Sequence, residues 1–493
     1  MGLLERTGHW LEDRTGLGSA IGRVARHPVP PTTGWAYVLG SATLTAFMIQ
    51  VVTGSVLATV YTPSTSQAYA SLQFITNRMV LGHFLRGIHF FGASAMVLLI
   101  GLHMIRVFLY GSYKFPREAS WLTGVVLLGL TLLMGFTGQL LRWDQNAIWS
   151  VVVGAEQAGR TPFIGTAIAR FVLGGASIGG ATLGRFFAFH VFMIPALIFG
   201  VVGLHLFLVL RNGISEPPDR TPVVEPASYR GQYEALLDQE GKPFWPHAAW
   251  RDVVFGAGVI LVIALLAGIF GPPALDKAPN PAIVQAAPRP DWYLLWYFAV
   301  LALLPHGIEN AFIIGFPLLA GLLLVLVPFL SNRGERRPSH RPWAVASVLV
   351  VVTMVASLSI IGTSTPWSPR FDAKPLPRQV IGNVSSGAVT GAHMFHDKGC
   401  EYCHTIAGYG GQRGPDLTWI ADRLTHDQMV IRIMNGGYNM PGYASILTPA
   451  ELTAIVTFLE TRTQHGAKPL PRDSAVALQP DATGSSEQGA GGR

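Results

Sequence analysis

Seven apolar stretches decide what this chain can become. Near residues 35–60, 84–109, 120–141, 186–210, 252–271, 312–331 and 343–363 the side chains stay apolar for long enough to cross a bilayer as helices. Backbone polar groups inside hydrocarbon must be satisfied within their own segment, so the class expected is all-α, a bundle of seven transmembrane helices. Composition agrees, since half of the residues are hydrophobic and 13% are charged, against about 25% charged in soluble domains. The net charge of +7 does not point to nucleic acid, because the cations gather in short loops. Lys114 and Arg117 follow the second stretch, Arg211, Arg220 and Arg230 the fourth, and Arg333, Arg336, Arg337 and Arg341 the sixth. All three loops fall on one side of a seven-helix bundle, which the positive-inside rule makes cytoplasmic together with the N-terminus. The first 34 residues carry Arg6, Arg14, Arg23 and Arg26 and no apolar core of secretory type, so the first membrane helix is expected to direct insertion itself.

Within the second and fourth stretches, histidines recur at matched spacing. His89 and His103 are 14 residues apart, and His190 and His205 are 15 apart. At about 1.5 Å rise per residue the members of each pair lie roughly 21 to 22 Å apart along a helix, about four turns, and face nearly the same way. Two such helices side by side would present two imidazole pairs at two depths, each able to grip a metal from opposite sides. Satisfied core histidines are the bland alternative, but ionisable residues inside a membrane are costly and mark function. The reading is two haems, His89 with His190 near the outer face and His103 with His205 near the cytoplasmic face. Gly40 and Gly54 in the first helix and Gly124 and Gly138 in the third repeat the interval of 14. A missing side chain at those levels lets a flat macrocycle approach the backbone, although glycine is also a packing residue in membrane helices.

The two cysteines of the chain are Cys400 and Cys403, in Cys-Glu-Tyr-Cys-His ending at His404. This is the attachment signature of a covalent haem c, with His404 as one axial ligand. No cysteine remains to hold an iron–sulfur cluster, so any such chemistry belongs to another subunit. Met440, in a loop before Pro441, is the expected sixth ligand, with His393, His396 and His426 as imidazole rivals; Met429 and Met434 read as packing. Thr448-Pro449-Ala450-Glu451 is a capping box opening the last helix, whose Leu452, Ile455, Val456 and Leu459 make one apolar face.

Two further stretches border the membrane. The loop from about 142 to 185, with Trp143-Asp144-Gln145 and Thr161-Pro162-Phe163-Ile164-Gly165, has too few apolar residues to span and should lie along the outer surface. Pro290-Asp291-Trp292-Tyr293 puts a carboxylate beside two aromatic rings. That suits a proton acceptor at a quinol pocket and equally an interfacial anchor, since Trp and Tyr favour that belt.

These residues resemble a cytochrome b of the quinol-oxidising cytochrome bc family, fused to a class I type c cytochrome. Residues 30–215 resemble the four-helix cytochrome b of the plastid plastoquinol:plastocyanin reductase, most closely in Lys114-Phe115-Pro116-Arg117-Glu118, in Trp143-Asp144-Gln145 and in the 15-residue interval after His190. Residues 250–363 resemble the separate three-helix subunit of that complex. The division expected is a cytoplasmic segment at 1–34, the four-helix core at 35–215, a three-helix quinol-site part at 216–363, a linker at 364–384, the cytochrome c domain at 385–465 and a disordered tail at 466–493. The resemblance implies bifurcation of quinol electrons, coupled to proton translocation. One electron would pass to a Rieske iron–sulfur protein and then to the c haem and an outer-face acceptor such as another cytochrome c, the other along the two b haems to a quinone near the cytoplasm. It implies Asp291, Trp292 and Tyr293 at the quinol-oxidising site, a homodimer, and a place in the cytoplasmic (inner) membrane with the c domain on the periplasmic side. Three departures stand out. Val38 occupies the place of the plastid protein's haem-tethering cysteine, which implies no covalent haem there. Asp291 replaces the family's glutamate, a form similar to menaquinol-using members. Arg142 replaces a proline before Trp-Asp-Gln. The rival reading is a non-bifurcating membrane conduit between another dehydrogenase and the outer c haem; a transporter or channel leaves the CxxCH signature unexplained.

Overall fold

In the computed structural model the residues described are 2–175, 178–279, 289–304, 306–363, 373–411, 414–436, 440, 442–444 and 446–464. Residues 364–372 of the expected linker, the expected tail at 466–493, and Tyr438, Asn439 and Pro441 beside Met440 lie outside them. Contacts divide the chain into two units, Met1–Pro369 with Gly436–Gly442, and Arg370–Asn435 with Tyr443–Arg493.

Among the described residues of the first unit, seven helices are long and apolar enough to cross a membrane: α1 Leu39–Val60, α2 Gly82–Leu109, α3 Glu118–Leu140, α4 Gly180–Asn212, α5 Ala249–Ile269, α6 Ile308–Leu330 and α7 Pro342–Gly362. Each coincides with one of the apolar stretches, because a run of about 20 apolar residues has no other way to satisfy its backbone in lipid. In the core, α1 packs on α2, α3 on α4, and α5 on both α1 and α2. Phe47, Met96, Leu99, Ile194 and Ile198 form the buried centre where these helices meet. The stretch after α3, too polar to span, forms two helices, Gln145–Gly159 and Gly165–Leu173, that bury Ala147, Ile148, Trp149, Val151 and Leu173 in one cluster. Asp144 starts the first of them by accepting the N–H of Ala147 at 2.8 Å, an N-cap that compensates an otherwise orphaned donor.

Helix α4 is not uniform. Residues Phe189–Met193 form a π-helical turn in which the N–H of Ile194 bonds the carbonyl of Phe189, five residues back. Pro195 lies just beyond and has no N–H to give. A π-turn inserts one residue without advancing the helix by a full step. The interval of 15 between His190 and His205 thereby matches the 14 of α2, which on regular helices would point its second histidine in a different direction.

The three basic loops converge at one end of the bundle, and several of their cations are buried rather than solvated. The Lys114 ammonium donates to the carbonyls of Ser331 and Arg333 at 2.8 and 2.7 Å. Arg117 donates to the Gly213 carbonyl and the Tyr229 hydroxyl, Arg336 pairs with the fully buried Glu216, and Arg341 donates to the carbonyls of Phe108 and Leu109. Burial drives Lys114 down to about 8. A short antiparallel pairing of Val223–Val224 with Gly334–Glu335 completes this seam, which fastens α5–α7 to α1–α4. Removing one member of such a buried pair strands its partner, at a cost of about 3–5 kcal/mol.

In the second unit, α8 Ser386–Asp397, α9 His426–Asn435 and α10 Pro449–Glu460 surround the CxxCH turn. Helices α8 and α10 cross closely: a side chain on Gly391 would collide with the Ala454 carbonyl, and Phe395 meets Phe458 with ring centroids 5.9 Å apart. The expected capping box is formed, with Thr448 and Glu451 each satisfying the other's backbone N–H. The preceding segment is tied to this unit, since Arg462 donates to the carbonyls of Val380 and Ile381 at 2.7 and 2.8 Å.

Candidate functional site

His89 and His190 come together. The rings of His89 on α2 and His190 on α4 stand 6.3 Å apart, centroid to centroid, and nearly edge-on at 78°. A metal bound to one nitrogen of each ring at about 2 Å calls for roughly this separation. His103 and His205 are near enough to interact electrostatically. All four imidazoles lie within the bundle yet keep part of their surface accessible.

What backs these rings is a set of threonines and glycines. Thr53 bonds Nδ1 of His89 at 2.9 Å, Thr123 bonds Nδ1 of His205 at 2.8 Å and Thr137 bonds Nδ1 of His190 at 3.2 Å. Each threonine hydroxyl has already donated within its own helix, Thr53 to Ile49, Thr123 to Ala119 or Ser120, and Thr137 to Leu133 or Met134. The hydroxyl oxygen is therefore the acceptor and Nδ1–H the donor. The Met134 carbonyl, 3.1 Å from Nδ1 of His190, can only accept and fixes the same tautomer. Nε2 of each is left with its lone pair free, the state a metal ligand needs.

The glycines serve the same rings. A side chain on Gly54 would come within 3.1 Å of His89, one on Gly40 within 3.2 Å of His103, and one on Gly138 within 2.5 Å of His190, whereas at Gly124 the nearest atom of His205 is 3.9 Å away. Their first role is to let each imidazole press against the neighbouring helix, which is a narrower role than admitting a macrocycle. Thr53-Gly54, Thr123-Gly124 and Thr137-Gly138 are adjacent pairs in the sequence, and that repeated dipeptide is the signal that marks the threonines.

Two arginines, one buried and one half-buried, extend the pattern. Arg86, three residues before His89, donates to Thr76 and to the Pro273 carbonyl at 3.1 and 2.8 Å. Arg106, three residues after His103, lies 3.6 Å over the Tyr37 ring, and its buried Nε and Nη2 have no hydrogen-bond partner among the described residues. Such orphaned donors suit an anion. The residues fit a haem: His89 with His190 and His103 with His205 would hold its iron, and Arg86 and Arg106 would suit its carboxylates. At the basic end, Ser41 donates to Asp252 at 2.6 Å, one residue from Gly40, and a cavity of about 410 Å³ opens between Tyr37, Tyr110, Pro217 and Pro338.

At the other end, the end of α3, the following helix and the Pro290–Phe298 segment line an apolar cavity of about 400 Å³. Phe136, Gln139, Gly154, Pro290, Tyr297 and Phe316 are among its walls. Tyr293 packs its hydroxyl against Gly135, where any side chain would collide with it, and donates to Asp291 at 3.1 Å. Trp292 donates to Ser94 on α2 at 3.3 Å and remains half-exposed. Burial pushes the Asp291 carboxyl above its usual range, opposed by the Tyr293 hydrogen bond and by the charge of Arg142. Burial and then the Asp291 charge push the Tyr293 phenol up, so it stays the donor. A half-buried carboxyl raised above its usual range, next to the cavity wall Pro290, is placed to take up a proton.

In the second unit, Cys400–Tyr402 form a tight turn entered through Gly399 at φ +76°, and the N–H of His404 closes it on the Cys400 carbonyl at 3.0 Å. Nδ1 of His404 donates to the Pro415 carbonyl at 2.9 Å, leaving Nε2 free. Burial lowers the proton affinity of this imidazole, which keeps it in the neutral ligating form. Two of the rival sixth ligands are engaged: His396 bonds the buried Glu401 at 2.8 Å and His426 bonds Glu460 at 2.9 Å. His393 is exposed and Met429 is buried, while contacts group Met440 with the first unit.

Comparison with known proteins places this geometry. The family model for cytochrome b/b6/petB matches residues 24–213, that for the cytochrome b C-terminal/b6/petD part matches residues 278–374, and that for the cbb3-type cytochrome c oxidase subunit III matches residues 387–459. The chain is 42% identical to cytochrome b6 of Heliobacterium mobile over 211 residues, covering 42% of this chain and 99% of that protein. It is 30% identical to cytochrome b of Cereibacter sphaeroides over 379 residues, 71% of this chain and 83% of that one. With cytochrome b/c1 of Bradyrhizobium diazoefficiens it shares 31% identity over 363 residues, 72% of this chain and 50% of that protein. Among solved structures, a chain of a hyperthermophilic respiratory Complex III superposes with a TM-score of 0.63 at 28% identity, covering 73% of this chain and 91% of that one.

Proposed function

The chain belongs to the cytochrome b family, and from that premise we propose that it oxidises quinol by sending the two electrons along separate routes. It is the cytochrome b/c subunit of a complex III-like quinol oxidoreductase, a multi-pass membrane protein with haem b and haem c. His89 with His190 and His103 with His205 would hold two b haems, aided by Arg86 and Arg106, while Cys400 and Cys403 would attach one c haem that His404 and Met440 would ligate. When bound, these groups supply one-electron transfer, one route along the b pair across the bilayer and the other through a Rieske iron–sulfur partner to the c haem and an outer acceptor.

The protein's own contribution is positioning and proton handling. Quinol occupies the cavity bounded by Phe136, Gln139 and Tyr297, whose lining is mainly apolar. Asp291 accepts a quinol proton, and Tyr293 holds that carboxylate in place by the hydrogen bond it donates. Proton release at this end and uptake beside Asp252 and Ser41 at the other make the reaction proton-translocating. The basic end is then cytoplasmic and this cavity lies on the outer, periplasmic side of the cytoplasmic membrane, with the protein acting as a homodimer. Asp291 in place of glutamate favours menaquinol.

The observation that carries this reading is Asp291, a half-buried carboxyl bonded to Tyr293 and flanking an apolar cavity. Replacing Asp291 by Asn is expected to slow quinol oxidation by about 10²–10⁴-fold, the usual worth of a positioned base, with all haems retained. Unchanged turnover would favour the non-bifurcating conduit.

A further inference from the structure

Arg160 is a charged group beside the outer cavity with no part in the proton chemistry of Asp291. It caps the C-terminal end of helix Gln145–Gly159, one turn beyond the cavity wall Gln157. Glu309 stands in the first turn of α6, the helix that supplies the walls Phe316 and Pro317. The two side chains meet. Nη1 of Arg160 lies 2.9 Å from Oε1 of Glu309 and donates to the amide oxygen of Asn310 at 3.0 Å. Nη2 donates to Glu156, one turn back on its own helix, at 3.1 Å. Each charge sits where the backbone favours it, the cation at a helix C-terminus and the Glu309 carboxylate at a helix N-terminus. The side chains of Arg160, Glu156 and Glu309 keep only 27%, 20% and 24% of their surface exposed, so solvent and salt screen this bridge less than a fully exposed pair.

The bridge joins two walls that each have their own support. Helix Gln145–Gly159 packs on Gly165–Leu173 and on α3, and α6 packs on α3 from its own side. Gly154 and Gln157 line the cavity from the first helix, Phe316 and Pro317 from the second. On the α6 side the bridge is coupled to the wall through stacked rings. Phe312, one turn after Glu309, stacks on Phe316 with centroids 5.0 Å apart and on Tyr297, also a wall, at 5.8 Å. We propose that Arg160 is a positioning residue for the outer cavity: its bridge to Glu309 and Asn310 fixes the separation of these two walls, and with it the fit of the quinol between them. This rests on quinol occupying that cavity. Arg160 stands behind the wall, so losing its bridge loosens the ground state and the transition state alike, which raises KM with little change in kcat.

The test is steady-state oxidation of a short-chain quinol by the assembled complex, with b- and c-haem content measured first. In Arg160→Gln, KM should rise about fivefold, the upper end for an ion pair open to solvent, while kcat falls by less than about twofold. Glu309→Gln should do the same, and the double variant should be no worse than either single one, because both remove one shared contact. Arg160→Lys should return KM most of the way. If Arg160→Gln loses haem, Glu309→Gln, which leaves Arg160 its bonds to Glu156 and Asn310, is read in its place. An unchanged KM while Asp291→Asn is inactive, or single effects that simply add, would overturn the role of Arg160 and leave the cavity as the quinol site. A lowered kcat at unchanged KM would overturn it in the same way. Full activity in Asp291→Asn would overturn both.

Discussion

The bundle and the CxxCH unit both present a histidine with Nδ1 tied down and Nε2 free, yet they arrive there by opposite means. In the second unit five consecutive residues make the site, one turn closes it, and the Pro415 carbonyl orients His404. In the bundle the four imidazoles lie more than a hundred residues apart at the extremes and are placed by helix packing, each backed by a neighbouring helix. A site written in contiguous residues tolerates changes in the surrounding fold. One assembled from separate helices fails when any of several remote contacts fails.

That difference orders the expected effects of substitution. The largest is ligand loss: His190→Ala should halve the b-haem absorbance and spare the c haem, and His404→Ala should perturb only the c-haem spectrum. Pyridine haemochrome quantification separates the two, and retention of both b haems in His190→Ala would break the pairing of α2 with α4. Crowding comes next. Gly138→Ala should expel or displace the outer b haem, since the new carbon would sit 2.5 Å from His190, whereas Gly124→Ala, at 3.9 Å, should leave b-haem content near normal. Equal effects of the two would mean that the glycines do not act through the imidazoles. At the c haem, Met440→Ala should open the sixth position and alter the c-haem spectrum; an unaltered spectrum would point to a histidine, with the exposed His393 the first to examine. The smallest effect belongs to the threonines. Thr53→Val removes the acceptor of His89 Nδ1–H and should weaken haem retention by about tenfold, the lower end for a residue that orients a metal ligand, measured by haem loss to an apoprotein acceptor.

Legibility in the sequence follows the same division. The CxxCH turn, the capping box at Thr448 and the seven apolar runs are readable because each is a contiguous pattern with one physical solution. The histidine spacing is readable as well, although its inequality, 14 against 15, makes structural sense only with the π-turn at Phe189–Met193, which the residues alone do not announce. Helix α4 begins at Gly180 rather than near 186 because a short amphipathic stretch joins the apolar one. Arg86 and Arg106 escape a reading by motif, although their mirrored offsets of three from His89 and His103 are plain in the chain. Lys114, Arg117, Arg336 and Arg341 read as loop charges, and burial adds a second role, in which they staple the two halves of the bundle. Asp252 and Ser41 meet across 211 positions, and no local pattern pairs them.

The measurement that tests the central claim most directly is the redox state of the b haems when the c haem is suddenly oxidised in the assembled complex with quinol present. If each quinol must send one electron to the Rieske and c-haem route and the other to the b pair, adding oxidant should drive the b haems transiently more reduced, and Asp291→Asn should abolish that response. If the b haems instead become oxidised together with the c haem, the chain is a single conduit and the division of electrons is contradicted.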